Sequence, residues 1–293
     1  MYIVADIGGT KTRIAGSRDL ASFYEPVIIP TEREYEKAII TIEEIAKKIA
    51  GEEKIEAMAV GLRGRLSRDK RSLFSDAILS DWSGHSVASD LEGKLGTKVY
   101  MENDTAMVGL GESTYGAGKG APIVAYITVS TGVGGARIVD GKIDRAAIGF
   151  EIGHQYISVD ERLVTRHASF EGLSEGVRKI LETCQELEKL VSGSAVERLY
   201  GTPAVAIPED SPLWSDLADL LTFGIYNTIL HWSPDKVVLG GSMFNRIGIH
   251  VDRVNDDMQK LLTGFLPEIP VLAHSELGDL GGLWGGLARI KQG

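Results

Sequence analysis

The chain has 293 residues, 43% of them hydrophobic and 25% charged, with 31 basic against 41 acidic side chains and a formal net charge of −10. That composition supplies a buried core for one large domain or two moderate ones, and an acidic chain without a clustered basic surface argues against a nucleic-acid backbone as partner. A single cysteine, Cys184, forbids an intramolecular disulfide, no run reaches the roughly 18 apolar residues of a membrane span, and residues 1–6 lack the basic stretch and long apolar run of a signal peptide, so no membrane partner is expected and the cytoplasm is the expected compartment.

Residues 2–7 read as a short buried strand that stops at Gly8-Gly9, with residues 12–16 returning, so the glycines form a hairpin tip. Residues 34–50 set Tyr35, Ala38, Ile39, Ile42, Ile45, Ala46 and Ile49 at helical spacing under a charged face, which predicts an amphipathic helix. Residues 55–61 predict another strand. A further strand over 98–101 delivers Glu102-Asn103-Asp104 at its carboxyl end, and the alternation of strands and helices is that of an α/β domain. The pattern then recurs: a strand over 123–130, a glycine turn over 131–135 and a return strand over 136–139. Residues 171–200 read as helix, Pro208, Ser211 and Pro212 as a loop, 213–231 as a long helix and 236–239 as a strand feeding Gly240-Gly241. Asp279 is placed to cap a last helix running to residue 290. Two glycine-tipped hairpins in successive α/β halves predict two related lobes around a cleft.

Asp6-Ile7-Gly8-Gly9-Thr10-Lys11-Thr12 is the first motif with chemistry in it. Glycines at a hairpin tip let backbone N–H groups face a phosphate with no Cβ in the way. Thr10 and Lys11 add a hydroxyl and a cation, and Asp6 precedes the turn where a carboxylate can hold a hydrated Mg²⁺. The second tip is Ser130-Thr131-Gly132-Val133-Gly134-Gly135. A strand-like segment follows it rather than a helix, which argues against a dinucleotide fingerprint, and it lacks the Gly-Lys-Ser/Thr of a Walker loop. Two such tips suit the clamping of a nucleoside triphosphate. Asp104, at a strand's carboxyl end, reads either as a base that accepts a hydroxyl proton or as a cap of the helix that follows.

These motifs, with Gly111-Glu112, Tyr115-Gly116-Ala117-Gly118-Lys119-Gly120, Glu151-Ile152-Gly153-His154, Val237-Val238-Leu239-Gly240-Gly241-Ser242 and residues 277–286, occur in the order found in the ROK family of sugar kinases and repressors, and the chain resembles that family over most of its length. The resemblance implies the α/β, two-lobed, actin-like (ribonuclease H-like) ATPase fold, with one lobe over 1–105, joined by a C-terminal helix over 280–293 packing back, and a second over 106–279. It implies an ATP-dependent kinase that phosphorylates a hexose or N-acetylhexosamine, at the 6-hydroxyl, with ATP and Mg²⁺ as cofactors and a homodimer as the assembly. Asp104 is then the catalytic base. Asn103, Glu151 and His154 are implied as sugar ligands, Asp6, Gly8, Gly9, Thr10, Lys11, Thr131, Gly132 and Gly134 as phosphate ligands, and Gly240 and Gly241 as the adenine side.

The chain departs from the family in two places. The Cys-x-Cys-Gly-x-x-Gly-Cys zinc module is missing, and Cys184 with His154 and His167 cannot replace it, so no structural zinc is expected. The glutamate that ends that module is matched by Glu188 in Glu188-Lys189-Leu190-Val191-Ser192-Gly193, or less well by Glu171. Gly61-Leu62-Arg63-Gly64-Arg65 replaces the commoner Gly-x-Pro-Gly, and its Gly64-Arg65 pair resembles the one that touches sugar in N-acetylmannosamine kinases. N-acetylmannosamine is therefore the favoured substrate, with glucose, a broader range of hexoses or fructose as alternatives. A sugar-sensing regulator is the rival of another class. Its winged-helix domain has no counterpart ahead of Asp6, and an acidic chain suits it poorly.

Overall fold

The computed structural model describes residues 1–147, 149–157, 186–244 and 248–293. The chain forms two compact units, residues 1–120 with 138–149 and 276–293, and residues 121–137 with 150–275.

The first unit is built on β1 (Tyr2–Ile7), β2 (Lys11–Ser17), β3 (Val27–Pro30), α1 (Tyr35–Ala50), β4 (Ala57–Leu62), a small pair β5 (Arg65–Leu66) and β6 (Leu73–Ser75), α2 (Val87–Leu95), β7 (Lys98–Asn103) and α3 (Asp104–Tyr115). Its sheet runs β3-β2-β1-β4-β7. The β1–β2 and β2–β3 pairs are antiparallel, whereas β4 lies parallel to both β1 and β7. Strands β1 and β4 are apolar at nearly every position because both faces of the sheet are covered. Ile3, Ala5 and Ile7 pack with Tyr35, Ile39 and Ile42 of α1 and with Leu91 of α2. Val4, Ala57 and Ala59 pack with Met107 of α3 and with Leu283 and Leu287 of the last helix.

The second unit begins with β8 (Ile123–Val129) and β9 (Val133–Val139). After β10 (Lys142–Ile143), which pairs with residues 138 and 139, come α4 (Glu188–Val191), α5 (Gly193–Tyr200), α6 (Leu213–Trp232), β11 (Lys236–Gly240), α7 (Val251–Leu262) and β12 (Val271–His274). Its sheet runs β9-β8-β11-β12, with β11 parallel to β8 and β12. Trp214, Leu217, Leu221 and Ile225 of α6 bury against Ile127, Val129, Val237 and Leu239. No described helix is long and apolar enough to cross a membrane.

The last helix, α8 (Gly281–Lys291), belongs to the first unit and packs against α3. Here the glycines are needed for close approach. A Cβ on Gly285 would lie 1.7 Å from the carbonyl oxygen of Met107, and one on Gly111 would lie 2.6 Å from that of Gly281. With α3 seated on α8, the first unit takes in the chain up to residue 120.

Three local expectations need correction. Asp279 lies in a short 3₁₀ turn, Gly278–Leu280, and does not cap α8; its carboxylate takes Arg13 instead, at 3.1 Å. The strand expected to end at 101 continues to Asn103, because its pairing to β4 runs on through Gly61↔Glu102 and Leu62↔Asn103. The helix expected over 171–200 is broken within its described part. Ser192 is extended (φ −74°, ψ 159°) and its side chain accepts from Ala195 N, so a new helix starts at Gly193. Residues 171–185 of that span lie outside the described residues.

Asp216 on α6 has its carboxyl pushed up to about 6, first by burial and then by the charge of Asp219, with Arg253 opposing. A carboxyl raised in the fold contributes stability that is fully present below its ordinary value near 3.8 and is lost as pH rises through about 6. Asp216→Asn is therefore expected to raise Tm at pH 8, with the gain shrinking toward pH 4. Thermal scans at both pH values check this, and an equal shift at both would remove Asp216 from the role.

Candidate active site

The parallel register of β1, β4 and β7 lines up Asp6, Gly61 and Glu102 in one row and Ile7, Leu62 and Asn103 in the next. The chain then leaves all three strands at their carboxyl ends, where open α/β sheets bind ligands. The residues that emerge side by side are Gly8, Arg63 and Asp104, and Arg63 N still donates to Ile7 O at 3.1 Å. Gly61 lies close under the head of α3, where a Cβ would stand 3.3 Å from Met107 Cβ.

The first glycine tip closes through Gly8 N donating to Lys11 O at 3.0 Å. Thr31 braces it: its hydroxyl donates to Gly8 O at 2.9 Å and its N–H to Thr10 O at 3.0 Å. Thr10 and Lys11 are exposed. Asp6 is buried below the tip, 3.5 Å from Arg13. Burial first, and then the charge of Asp104, push its carboxyl up to about 7; Arg13 opposes this and Asp279 adds to it. Asp104 is also held above the ordinary carboxylate range by burial. The Thr105 N–H, donating to its Oδ1 at 2.7 Å, and the Arg63 charge work against that rise, while Asp76 adds to it. A buried carboxylate with a raised pKa is a stronger proton acceptor than a free one.

Asn103, not Asp104, caps α3, so the alternative reading of Asp104 as a cap is set aside. The Asn103 Oδ1 accepts from Ala106 N at 3.2 Å, and its amide donates to Gly64 O at 3.1 Å. Glu102 is buried between Lys70 and Arg289 of α8. Gly64 is required by the backbone: its φ is +94°, and a Cβ would lie 2.8 Å from both Asp76 Cβ and Leu73 Cδ1. Arg65 is exposed on β5. The arginine that stands beside the glycine tip is Arg63.

The second unit gathers another group of the expected residues around its own glycine tip. Ser130 N donates to Gly132 O at 2.8 Å, and Thr131 is exposed at the turn. Glu188 Oε2 accepts from Val133 N at 2.8 Å, and a Cβ on Gly132 would lie 2.5 Å from that oxygen. Gly193 N donates to Ser130 O at 2.7 Å, so the Glu188–Gly193 segment supports the tip from below. Glu151 and His154 lie on one 3₁₀ turn, seated on β9 by Gly153, whose Cβ would lie 2.4 Å from Val133 O. The His154 Nδ1 is 3.3 Å from Glu186 Oε2. Gly134 follows the tip on β9. Gly240 and Gly241 end β11; Gly241 has φ +96°, and a Cβ there would lie 2.3 Å from Val129 O. Glu171, His167 and Cys184 lie outside the described residues.

Among the described residues, no group of three or more His, Cys, Asp or Glu side chains is arranged to hold a metal ion. A hydrated Mg²⁺ needs less than that, one or two carboxylates with water and phosphate as its other ligands. Asp6 fits, being a buried carboxylate that feels the charge of a second one, Asp104, and is paired with Arg13 only at 3.5 Å. The residues that sequence reading missed are Arg63, its partner Asp76, and the Arg13–Asp279 pair. Only the count from the end of β4 could have shown that Arg63 and not Arg65 leaves the strand first.

The solved structures similar to this chain include a ROK hexokinase from Thermus thermophilus, 25% identical, with a TM-score of 0.78 over 100% of this chain and 99% of that one. An N-acetyl-D-glucosamine kinase from Vibrio parahaemolyticus is 26% identical over 97% of this chain and 98% of its own length. A glucokinase from Thermotoga maritima is 24% identical over 99% and 97%. The mixed α/β architecture is thus that of the actin-like ATPase class. The family profile of ROK matches residues 2–292, and the chain belongs to the ROK family.

Proposed function

We propose that the protein is an ATP-dependent sugar kinase that phosphorylates a hexose or N-acetylhexosamine at the 6-hydroxyl. The observation that carries this reading is the position of Asp104, a buried carboxyl with raised pKa on the same sheet edge as the Gly8-Gly9 hairpin. A proton acceptor and a phosphate cradle side by side are what phosphoryl transfer asks of a protein. Asp104 accepts the hydroxyl proton as the new O–P bond forms. The bond from the γ-phosphorus to the bridging oxygen breaks, and its electron pair leaves with ADP. Backbone N–H groups of the Gly8-Gly9 tip, with Thr10 and Lys11, neutralise phosphate charge. Asp6 would hold a hydrated Mg²⁺, which supplies further charge screening when bound. Thr131, Gly132 and Gly134 form the second phosphate contact, and Gly240 and Gly241 the adenine side.

Asn103, Glu151, His154 and Glu188 are proposed as sugar ligands. Glu188 keeps one oxygen for this purpose, since Val133 N occupies the other. The finer reading is N-acetylmannosamine as preferred substrate. Its support is the Gly64-Arg65 pair and a relative that acts on another N-acetylhexosamine. Arg65 is exposed, so discrimination against glucose through it should be modest. The test is ADP release with N-acetylmannosamine, N-acetylglucosamine, glucose, mannose and fructose, and a homodimer is the assembly expected by light scattering. Sugar binding without ADP release from any of the five would replace the kinase by a sugar sensor. A wild type that prefers glucose would end the N-acetylmannosamine reading alone.

The protein is also proposed to hold no structural zinc, because the cysteine module is missing from the sequence. Elemental analysis after purification without added metal should find well below one zinc per chain. Near-stoichiometric zinc that survives dialysis against a chelator would show that other ligands have taken over.

A further inference from the structure

We propose that Arg63 is a catalytic arginine that grips the transferring phosphoryl group, held for that task by Asp76 and by the open face of Gly9. The assignment rests on the kinase reading and adds a residue to it.

Three observations place the side chain. Arg63 is the first residue beyond β4, between the ends of β1 and β7, so its neighbours are the hairpin tip on one side and Asp104 on the other. Its Nε donates to Asp76 Oδ2 at 3.0 Å. That carboxylate is itself fixed, because its Oδ1 accepts from Ile78 N at 2.8 Å and Leu79 N at 2.7 Å. The far end of the guanidinium lies against Gly9. A Cβ on that glycine would stand 2.2 Å from Nη1 and 3.2 Å from Cζ, so any other residue there would push the arginine out of this position.

The chemistry follows from what remains unused. A guanidinium offers five N–H donors in a fixed fork. One is spent on Asp76, and among the described residues neither Nη1 nor Nη2 has a hydrogen-bond partner. Only a quarter of the side chain is exposed, at 25%. A fork with its stem tied down and its free donors at a phosphate hairpin suits bidentate binding of phosphate oxygens. Lys11 is the other cation of the hairpin, but it is exposed. The charge of Arg63 is also felt at Asp104, where it lowers the carboxyl against the effect of burial. Charge on the equatorial oxygens of the transferring group is what such an arginine stabilises. The bland alternative is a tether that only holds the Asp76 turn in place.

Arg63→Lys separates the two. A lysine can keep the ion pair to Asp76, but its single charged nitrogen cannot also reach phosphate. Arg63→Lys is expected to melt within a few degrees of wild type and to lower kcat about 10²-fold, with sugar KM within threefold. Calorimetric titration with Mg-ATP and Mg-ADP supplies a second readout that needs no turnover. ADP affinity should hold, while the preference for ATP over ADP falls at least tenfold. Arg63→Ala should show the same loss of ATP preference, with a lower Tm from the unpaired Asp76. An Arg63→Lys enzyme that keeps more than a third of kcat, or keeps the ATP-to-ADP ratio, overturns the proposal. So does one that raises sugar KM with kcat intact. A wild type with no sugar-dependent turnover would sink the kinase reading, and the nucleotide titration would still decide whether Arg63 grips the terminal phosphate.

Discussion

Asp104→Asn is expected to lower kcat by about 10²–10⁴-fold, the range that a positioned general base supplies, with sugar affinity retained. The substitution is clean for a structural reason. Helix α3 is capped by Asn103, through Ala106 N, so its start does not depend on residue 104. The hydrogen bond that Asp104 Oδ1 accepts from Thr105 N, at 2.7 Å, can be taken over by an amide oxygen of the same shape. What the amide cannot do is accept a proton at neutral pH. Asp104 also raises the pKa of Asp6 by its charge, so the variant should if anything make Asp6 easier to ionise. Steady-state kinetics with a coupled ADP assay, and sugar binding measured by calorimetry, check the two halves of the expectation. An Asn variant with more than a third of wild-type kcat would remove Asp104 from the role of base.

What could be read from the sequence was whatever depends on local spacing. The β1–β2 hairpin follows from an apolar run, two glycines and a second run, and α1 from seven apolar residues at helical spacing. Asp104 was placed at a strand end because the strand before it is short and apolar. Features set by pairing between distant segments were not readable in this way. The strand expected over 55–61 in fact runs to Leu62, and that single residue decides which side chain first leaves the sheet. Only the parallel register to β1 and β7 shows that it is Arg63, with Arg65 on an exposed two-residue strand. Glu188 and Val133 are likewise 55 residues apart in the chain, and no local pattern announces their hydrogen bond. The last helix goes against intrinsic preference, since Gly281, Gly282, Gly285 and Gly286 all disfavour helix. They are tolerated because the helix packs backbone to backbone on α3, with Gly285 facing the Met107 carbonyl. Strand β12 is too short to carry a periodic signal, whereas α7 sets Val251, Val254, Met258 and Leu262 at helical spacing and was legible though not read.

Glu112 gives the largest expected effect on stability. It is fully buried on α3, and its carboxylate accepts three backbone N–H groups: Ala117 at 3.0 Å and Glu276 at 3.2 Å on Oε2, and Leu277 at 2.9 Å on Oε1. Gly116 makes room for it, as a Cβ there would lie 2.1 Å from Oε2. Each buried donor left without a partner costs about 1–3 kcal/mol. Glu112→Ala orphans three, and water entering the vacated space recovers part of the loss, so a destabilisation of about 3–5 kcal/mol is expected. Glu112→Gln keeps one acceptor oxygen but turns an amide donor toward N–H groups, and should fall between Ala and wild type. The effect should also reach the site. Residues 276 and 277 lead directly into Asp279, which pairs with Arg13 beside Asp6, and into α8. Loosening them frees Arg13, so activity measured well below the lowered Tm should fall as well. Urea unfolding of the three proteins orders them, and an Ala variant within 1 kcal/mol of wild type would mean that the 276–277 segment is held by its packing and not by this carboxylate.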